Sequence, residues 1–168
     1  SCRTQIYPKW ELCICLDASA LPARRELLQA VSLSDARMRL VDCNTICAGL
    51  NTAISGASGE FFVLLDSNDV LSEHALYWLA KETADHPTVD LVFSDEDRIT
   101  PEGHRFDPRF KPDWNPGLML SCNAFGHLSA YRASLVSKVG AFRPEFAEQY
   151  DYDLVLRCAA ATKLERIR

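Results

Sequence analysis

Four aspartates follow short apolar runs: Asp17 after Leu12-Cys-Ile-Cys-Leu16, Asp42 after Arg39-Leu-Val41, Asp66 after Phe61-Phe-Val-Leu-Leu65, and Asp95 just after Leu91-Val-Phe93. If each run is a strand of a parallel sheet, all four carboxylates fall along its carboxyl edge, where open α/β sheets bind ligands. Two carboxylates about 4 Å apart repel by about 4 kcal/mol at an effective dielectric near 20, so such an edge attracts a cation. Asp42 reads as a residue that starts a turn. Asp66-Ser-Asn-Asp69 puts two acids and an amide into four residues behind five apolar ones, and points to metal or phosphate chemistry. No G-x-G-x-x-G or G-K-[ST] phosphate cradle occurs, and Gly56-Ala-Ser-Gly59 precedes a strand rather than a helix. A phosphorylated ligand would therefore need an aspartate-held Mg²⁺ or Mn²⁺.

The elements that position these residues follow from periodicity. Strand runs are expected at 11–16, 39–41, 61–65 and 90–93, the third buried on both faces. The intervening helices are expected at 22–32, 48–55 and from Ser72, as cap, to about Asp85. Leu27, Leu28 and Val31 should form the inner face of the first helix, and Ala75, Leu76 and Leu79 that of the third. Strand alternating with helix predicts an α/β fold with a mixed, mostly parallel sheet flanked by helices. Residues 94–115 read as a long polar loop. A short helix at 116–121, a strand at 127–131, a helix at 133–139 closed by Gly140 and a last helix at 150–161 complete the chain, the last with Leu154, Val155 and Cys158 facing inward.

With 168 residues, the sequence suits a single domain. A net charge of −5 argues against a nucleic-acid partner. No apolar run approaches the roughly 20 residues of a membrane-spanning helix. The seven cysteines include no Cys-x-x-Cys pair and read as reduced core thiols, as in a cytoplasmic protein. The four histidines show no ligand spacing.

The series of motifs resembles family 2 inverting glycosyltransferases of the GT-A fold, the bacterial enzymes that build surface polysaccharides. The resemblance runs through Gln5-Ile-Tyr-Pro-Lys-Trp-Glu-Leu12, Asp17-Ala-Ser19, Ala57-Ser-Gly-Glu-Phe-Phe-Val-Leu-Leu-Asp66, Phe93-Ser-Asp-Glu-Asp-Arg-Ile99, Phe110-Lys-Pro-Asp-Trp-Asn-Pro116 and Asp151-Tyr-Asp-Leu-Val-Leu-Arg157. It implies a nucleotide-binding part over about residues 1–100 and an acceptor side over about 101–168. By resemblance, Asp17 contacts the donor's uracil or ribose, and Asp66 and Asn68 fall on the D-x-D site that holds a divalent cation, Mn²⁺ or Mg²⁺, against the diphosphate. Asn68 departs from the usual aspartate there: its amide oxygen can still ligate the ion but lacks the charge, so metal affinity is expected to suffer unless Asp69 compensates. Asp151 matches the general base, while Tyr150 stands where relatives carry Glu or Gln. Asp153 and Arg157, spaced i, i+4, read as a helix ion pair.

Asp95-Glu96-Asp97 is expected to bind acceptor hydroxyls, to complete the metal site, or to form a solvated loop face. Trp114 and Phe110 suit either stacking on a sugar or packing of the loop. The implied partners are a nucleotide-sugar donor, UDP-linked by expectation, and a glycan or lipid-linked acceptor at the cytoplasmic face of a membrane. The sequence is expected to begin after the family's first strand and most of its first helix, and to stop, at Arg166-Ile-Arg168, before its last elements. Two other readings remain: a non-catalytic nucleotide- or glycan-binding module, and a haloacid-dehalogenase-like phosphatase using Asp66-x-Asn68-x-Val70.

Overall fold

Apolar runs and their amphipathic neighbours alternate in this computed structural model, which describes residues 1–163 and Arg166. Residues 167 and 168, in the stretch where the sequence is expected to stop short of the family's end, lie outside the described residues. The chain runs β1 (Leu12–Asp17), α1 (Pro22–Leu33), β2 (Met38–Cys43), α2 (Ile46–Ser55), β3 (Phe61–Val63), α3 (Ala75–Asp85), β4 (Leu91–Phe93), β5 (Glu96–Ile99), β6 (Arg105–Arg109), α4 (Pro116–Ser121), β7 (Ser129–Arg132), α5 (Ala133–Val139) and α6 (Tyr150–Ala161).

β1 and β2 pair in parallel, from Leu12 opposite Met38 to Asp17 opposite Cys43. Helix α2 packs against both strands. It approaches closely because residue 49 is glycine: a Cβ there would stand 2.7 Å from Cys43 Sγ. β7 runs antiparallel between β3 and β4, which therefore point the same way. The main core forms over this second sheet, where Leu91, Phe125, Val136, Phe142, Leu154 and Val155 are buried.

Two ion networks tie helices to this core. Buried Asp153 on α6 pairs with Arg143 and Arg157, and Arg157 also donates to the carbonyls of Val139, the last residue of α5, and Ala141. The expected i, i+4 pair is thus one arm of a larger clamp. Buried Asp90 gathers Arg132 and Arg166. All seven cysteines are free. Among the described residues, no helix is long and apolar enough to cross a membrane.

Several expectations need correction. β3 covers only Phe61–Val63 and is half-buried rather than buried on both faces. Leu27 on α1 is 64% exposed, because α1 packs on β2 and leaves that side open. Helix α3 starts at Ala75 without a serine cap. Its cap comes from the buried Gln5, whose Oε1 accepts from Leu76 N–H while its Nε2 donates to the Ser72 carbonyl.

The expected loop at 94–115 contains a hairpin of β5 and β6. It is held by charge pairs across the strands, Glu96 with Arg109, Asp97 with Arg105 and Arg98 with Asp107, and β6 is exposed throughout. A strand that buries nothing shows no apolar alternation, whereas opposite-charge cross-strand pairs stabilise it without one.

Candidate active site

Asp66 and Asp69 lie just beyond β3 in a turn closed by the Asp69 N–H donating to the Asp66 carbonyl, 3.1 Å. The Asp66 N–H donates in return to Asp69 Oδ2, 2.9 Å. That same oxygen accepts from His127 Nδ1 at 2.6 Å, across 58 residues of sequence. Each of the three side chains offers a ligand atom, and these atoms lie within 4.8 Å of one another. That is little more than the span of two opposed ligands at about 2.1 Å from a small divalent ion. Two carboxylates and an imidazole are ligand types that bind divalent metals, so the donor set fits a divalent cation. Asn68 is exposed in the same turn.

His127 was missed by sequence reasoning because it lies far from Asp69 in the chain. Its one local signal, the Gly126-His127 pair entering a strand, carries no ligand spacing.

Asp151 sits in the first turn of α6 and is half-buried. Its Oδ2 accepts from Asn123 Nδ2 at 2.8 Å, whereas Asn123 Oδ1 is buried without a protein partner. Tyr150 lies within electrostatic reach of both groups. Burial pushes its hydroxyl up, and the charges of Asp66, Asp151 and Asp69 push it in the same direction. The charges of Asp66, Asp69 and Asp151 thus all act on the Tyr150 hydroxyl, and His127 joins this group through its contact with Asp69.

Asp17 and Asp42 close the other pair of strands. Asp17 is exposed and accepts from the Ser19 N–H and hydroxyl, which hold its carboxyl below the usual range. Asp42 pairs with Arg25, in keeping with a structural role. An open depression of about 230 Å³ lined by Ala18, Asp42, Cys43, Asn44, Ala48 and Thr52 lies beside them.

The acidic run meets protein partners. Asp95 accepts from the Lys111 N–H at 2.7 Å, Asp97 pairs with Arg105, and Glu96 binds Arg109 and the His127 N–H. Trp114 turns inward, half-buried, with its ring edge-on to Phe125 at 5.5 Å, which favours the packing role over stacking on a sugar. Phe110 is 80% exposed.

A parallel strand pair with its helices and a separate mixed sheet, with carboxylates at the strand ends, define an α/β protein of the kind that binds ligands beyond the carboxyl ends of its strands. The family model for glycosyl transferase family 2 matches residues 1–140, and the chain belongs to that family. It is 32% identical over 165 residues to the O-antigen biosynthesis protein RfbC of Myxococcus xanthus, covering 96% of this chain and 13% of that protein. The chain spans less than a fifth of the curated relatives it matches most strongly.

Among solved structures it resembles S. aureus TarS (residues 1–349), with a TM-score of 0.74 at 17% identity over 98% of this chain and 50% of that one. It also resembles a mannosyltransferase of Pyrobaculum calidifontis solved with GDP-Man and Mn²⁺, with a TM-score of 0.66 at 19% identity over 99% and 49%. These likenesses show the GT-A fold. Family membership sets aside the phosphatase reading of Asp66.

Proposed function

We propose that this chain is the catalytic domain of an inverting glycosyltransferase that moves a sugar from a nucleotide-diphosphate donor to a glycan or lipid-linked acceptor in cell-surface polysaccharide synthesis. The observation that carries the reading is the meeting of Asp66, Asp69 and His127, a divalent-ion donor set, in a family 2 chain.

Asp66, Asp69 and His127 would hold Mn²⁺ or Mg²⁺, with Asn68 as a neutral oxygen donor in the same turn. Such an ion supplies positive charge to the leaving diphosphate. Asp17 and the depression beside it take the nucleoside, for which UDP is the first candidate. GDP-Man in a structural neighbour makes GDP the second.

Asp151 acts as the general base. The acceptor oxygen attacks the anomeric carbon as its proton passes to the Asp151 carboxylate, and the bond from that carbon to the diphosphate oxygen breaks on the opposite face. Asn123 occupies one carboxylate oxygen and leaves the other for the acceptor hydroxyl. The acceptor side, about residues 101–168, then faces a glycan or a lipid-linked glycan at the cytoplasmic membrane surface.

The test is release of nucleoside diphosphate from a panel of nucleotide sugars by the full-length protein. Asp66→Ala should abolish it, and Asp151→Asn should lower it by about 10² to 10⁴. Release undiminished by both substitutions would refute the proposal.

A further inference from the structure

Residues 123–127 reach both halves of the site. Asn123 Nδ2 donates to Asp151 at 2.8 Å, and four residues later His127 Nδ1 lies 2.6 Å from Asp69. This stretch has no regular secondary structure, so something else must hold it.

The holding group is the side chain of Lys111, only 7% exposed. Its ammonium donates to the carbonyls of Phe125 at 2.6 Å and His127 at 2.7 Å. Its third direction faces Glu96 Oε2 at 3.7 Å. Two of its three donors are thus hydrogen-bonded to carbonyls, with the Glu96 carboxylate as ion-pair neighbour. Glu96 Oε2 in turn accepts from the His127 N–H at 2.8 Å. Glu96 comes this close because residue 126 is glycine: a Cβ there would stand 3.0 Å from both carboxylate oxygens.

A buried ion pair is a poor way to gain stability, since apolar residues of similar volume often do as well. What it adds is direction. Two backbone carbonyls and one N–H within three residues are pinned by a single pair of opposite charges.

We propose that Lys111 and Glu96 form a positioning pair that fixes residues 123–127, so that one short segment presents Asn123 to Asp151 and His127 to Asp69. Neither member of the pair touches Asp66, Asp69 or Asp151 through any of these bonds, so its effect on transfer is indirect. The inference rests on the assignment of those aspartates and His127 under Proposed function.

The test uses the full-length protein and two readouts: Mn²⁺ affinity of the protein alone, by electron paramagnetic resonance, and kcat and KM for transfer. Lys111→Met is expected to weaken Mn²⁺ binding about 10- to 100-fold, the range typical of groups that orient metal ligands. It should lower kcat about 100-fold with donor KM within about twofold, since a displacement near 1 Å costs about that much. Lys111→Arg, which can still donate to both carbonyls, should recover at least about tenfold of the loss. Lys81→Met, which removes an ammonium from the exposed Lys81–Asp85 pair on α3, should leave both readouts unchanged.

Lys111→Met with Mn²⁺ affinity and kcat within about twofold of wild type would overturn the proposal. Should Lys111→Met fail to fold, Glu96→Gln, which keeps an acceptor for the His127 N–H but loses the charge, carries the test under the same criterion. Wild-type protein that neither binds Mn²⁺ nor transfers sugar would instead refute the functional reading itself.

Discussion

His127 Nδ1 lies 2.6 Å from Asp69 Oδ2, joining the turn after β3 to the segment that enters β7. This contact converts an acidic turn into a set of three donors from two distant parts of the chain. His127→Ala in the full-length protein should weaken Mn²⁺ binding about 10- to 100-fold, and Asp69→Asn should do at least as much. Equilibrium Mn²⁺ titration checks both. Equal affinity in His127→Ala and wild type would remove the imidazole from the donor set.

Asp151 and Asn123 make a second pair at 2.8 Å. General-base removal by Asp151→Asn should lower kcat by about 10² to 10⁴ while donor KM holds. Asn123→Ala frees the carboxylate to rotate and should cost about 10- to 100-fold in kcat. Steady-state kinetics with saturating donor separates the two effects. Unchanged transfer in Asp151→Asn would dismiss it as the base.

Much of this was legible in the sequence. Strong periodicity gave the order of helices and strands through β4, and the last helix with Leu154, Val155 and Cys158 inward, all fully buried as expected. Gly140 closes α5 in the left-handed conformation, φ 86°. The hairpin of β5 and β6 was illegible because its stabilisation is cross-strand charge, which looks like loop polarity in one dimension. Gln5 was illegible as the cap of α3 because it acts from 71 residues away. In the site, the local acidic motifs were readable, whereas His127, Asn123 and Lys111 depend on contacts that only the fold creates.

The clamp around Asp153 makes a prediction about acid stability. Burial raises its carboxyl pKa, but Arg143 and Arg157 outweigh that and hold it below the usual carboxylate range. A depressed folded pKa means that the stabilisation is complete above the unfolded value, about 3.9, and is lost as pH falls through the folded value. Asp153→Asn should therefore destabilise the protein by about 3 kcal/mol at neutral pH. It should also flatten the loss of stability below about pH 4. Denaturant melts across pH 2–7 check both effects, and parallel curves for variant and wild type would refute the linkage.

The contact between α2 and the first two strands predicts the effect of one methyl group. In Gly49→Ala the new Cβ would meet Cys43 Sγ at 2.7 Å and Cys15 Cβ at 3.3 Å. Neither neighbour is the end of a long flexible side chain, so the cost should be about 1–3 kcal/mol of unfolding free energy. Thermal denaturation measures it, and an unchanged midpoint would show that the strand pair yields freely.

The most direct measurement is calorimetry of UDP binding to the full-length protein with and without Mn²⁺, repeated with Asp66→Asn. The account predicts binding that requires Mn²⁺ and disappears in the variant, with GDP as the comparison ligand. Equally tight UDP binding without metal, or undiminished metal-dependent binding in Asp66→Asn, would contradict a diphosphate site built on Asp66, Asp69 and His127.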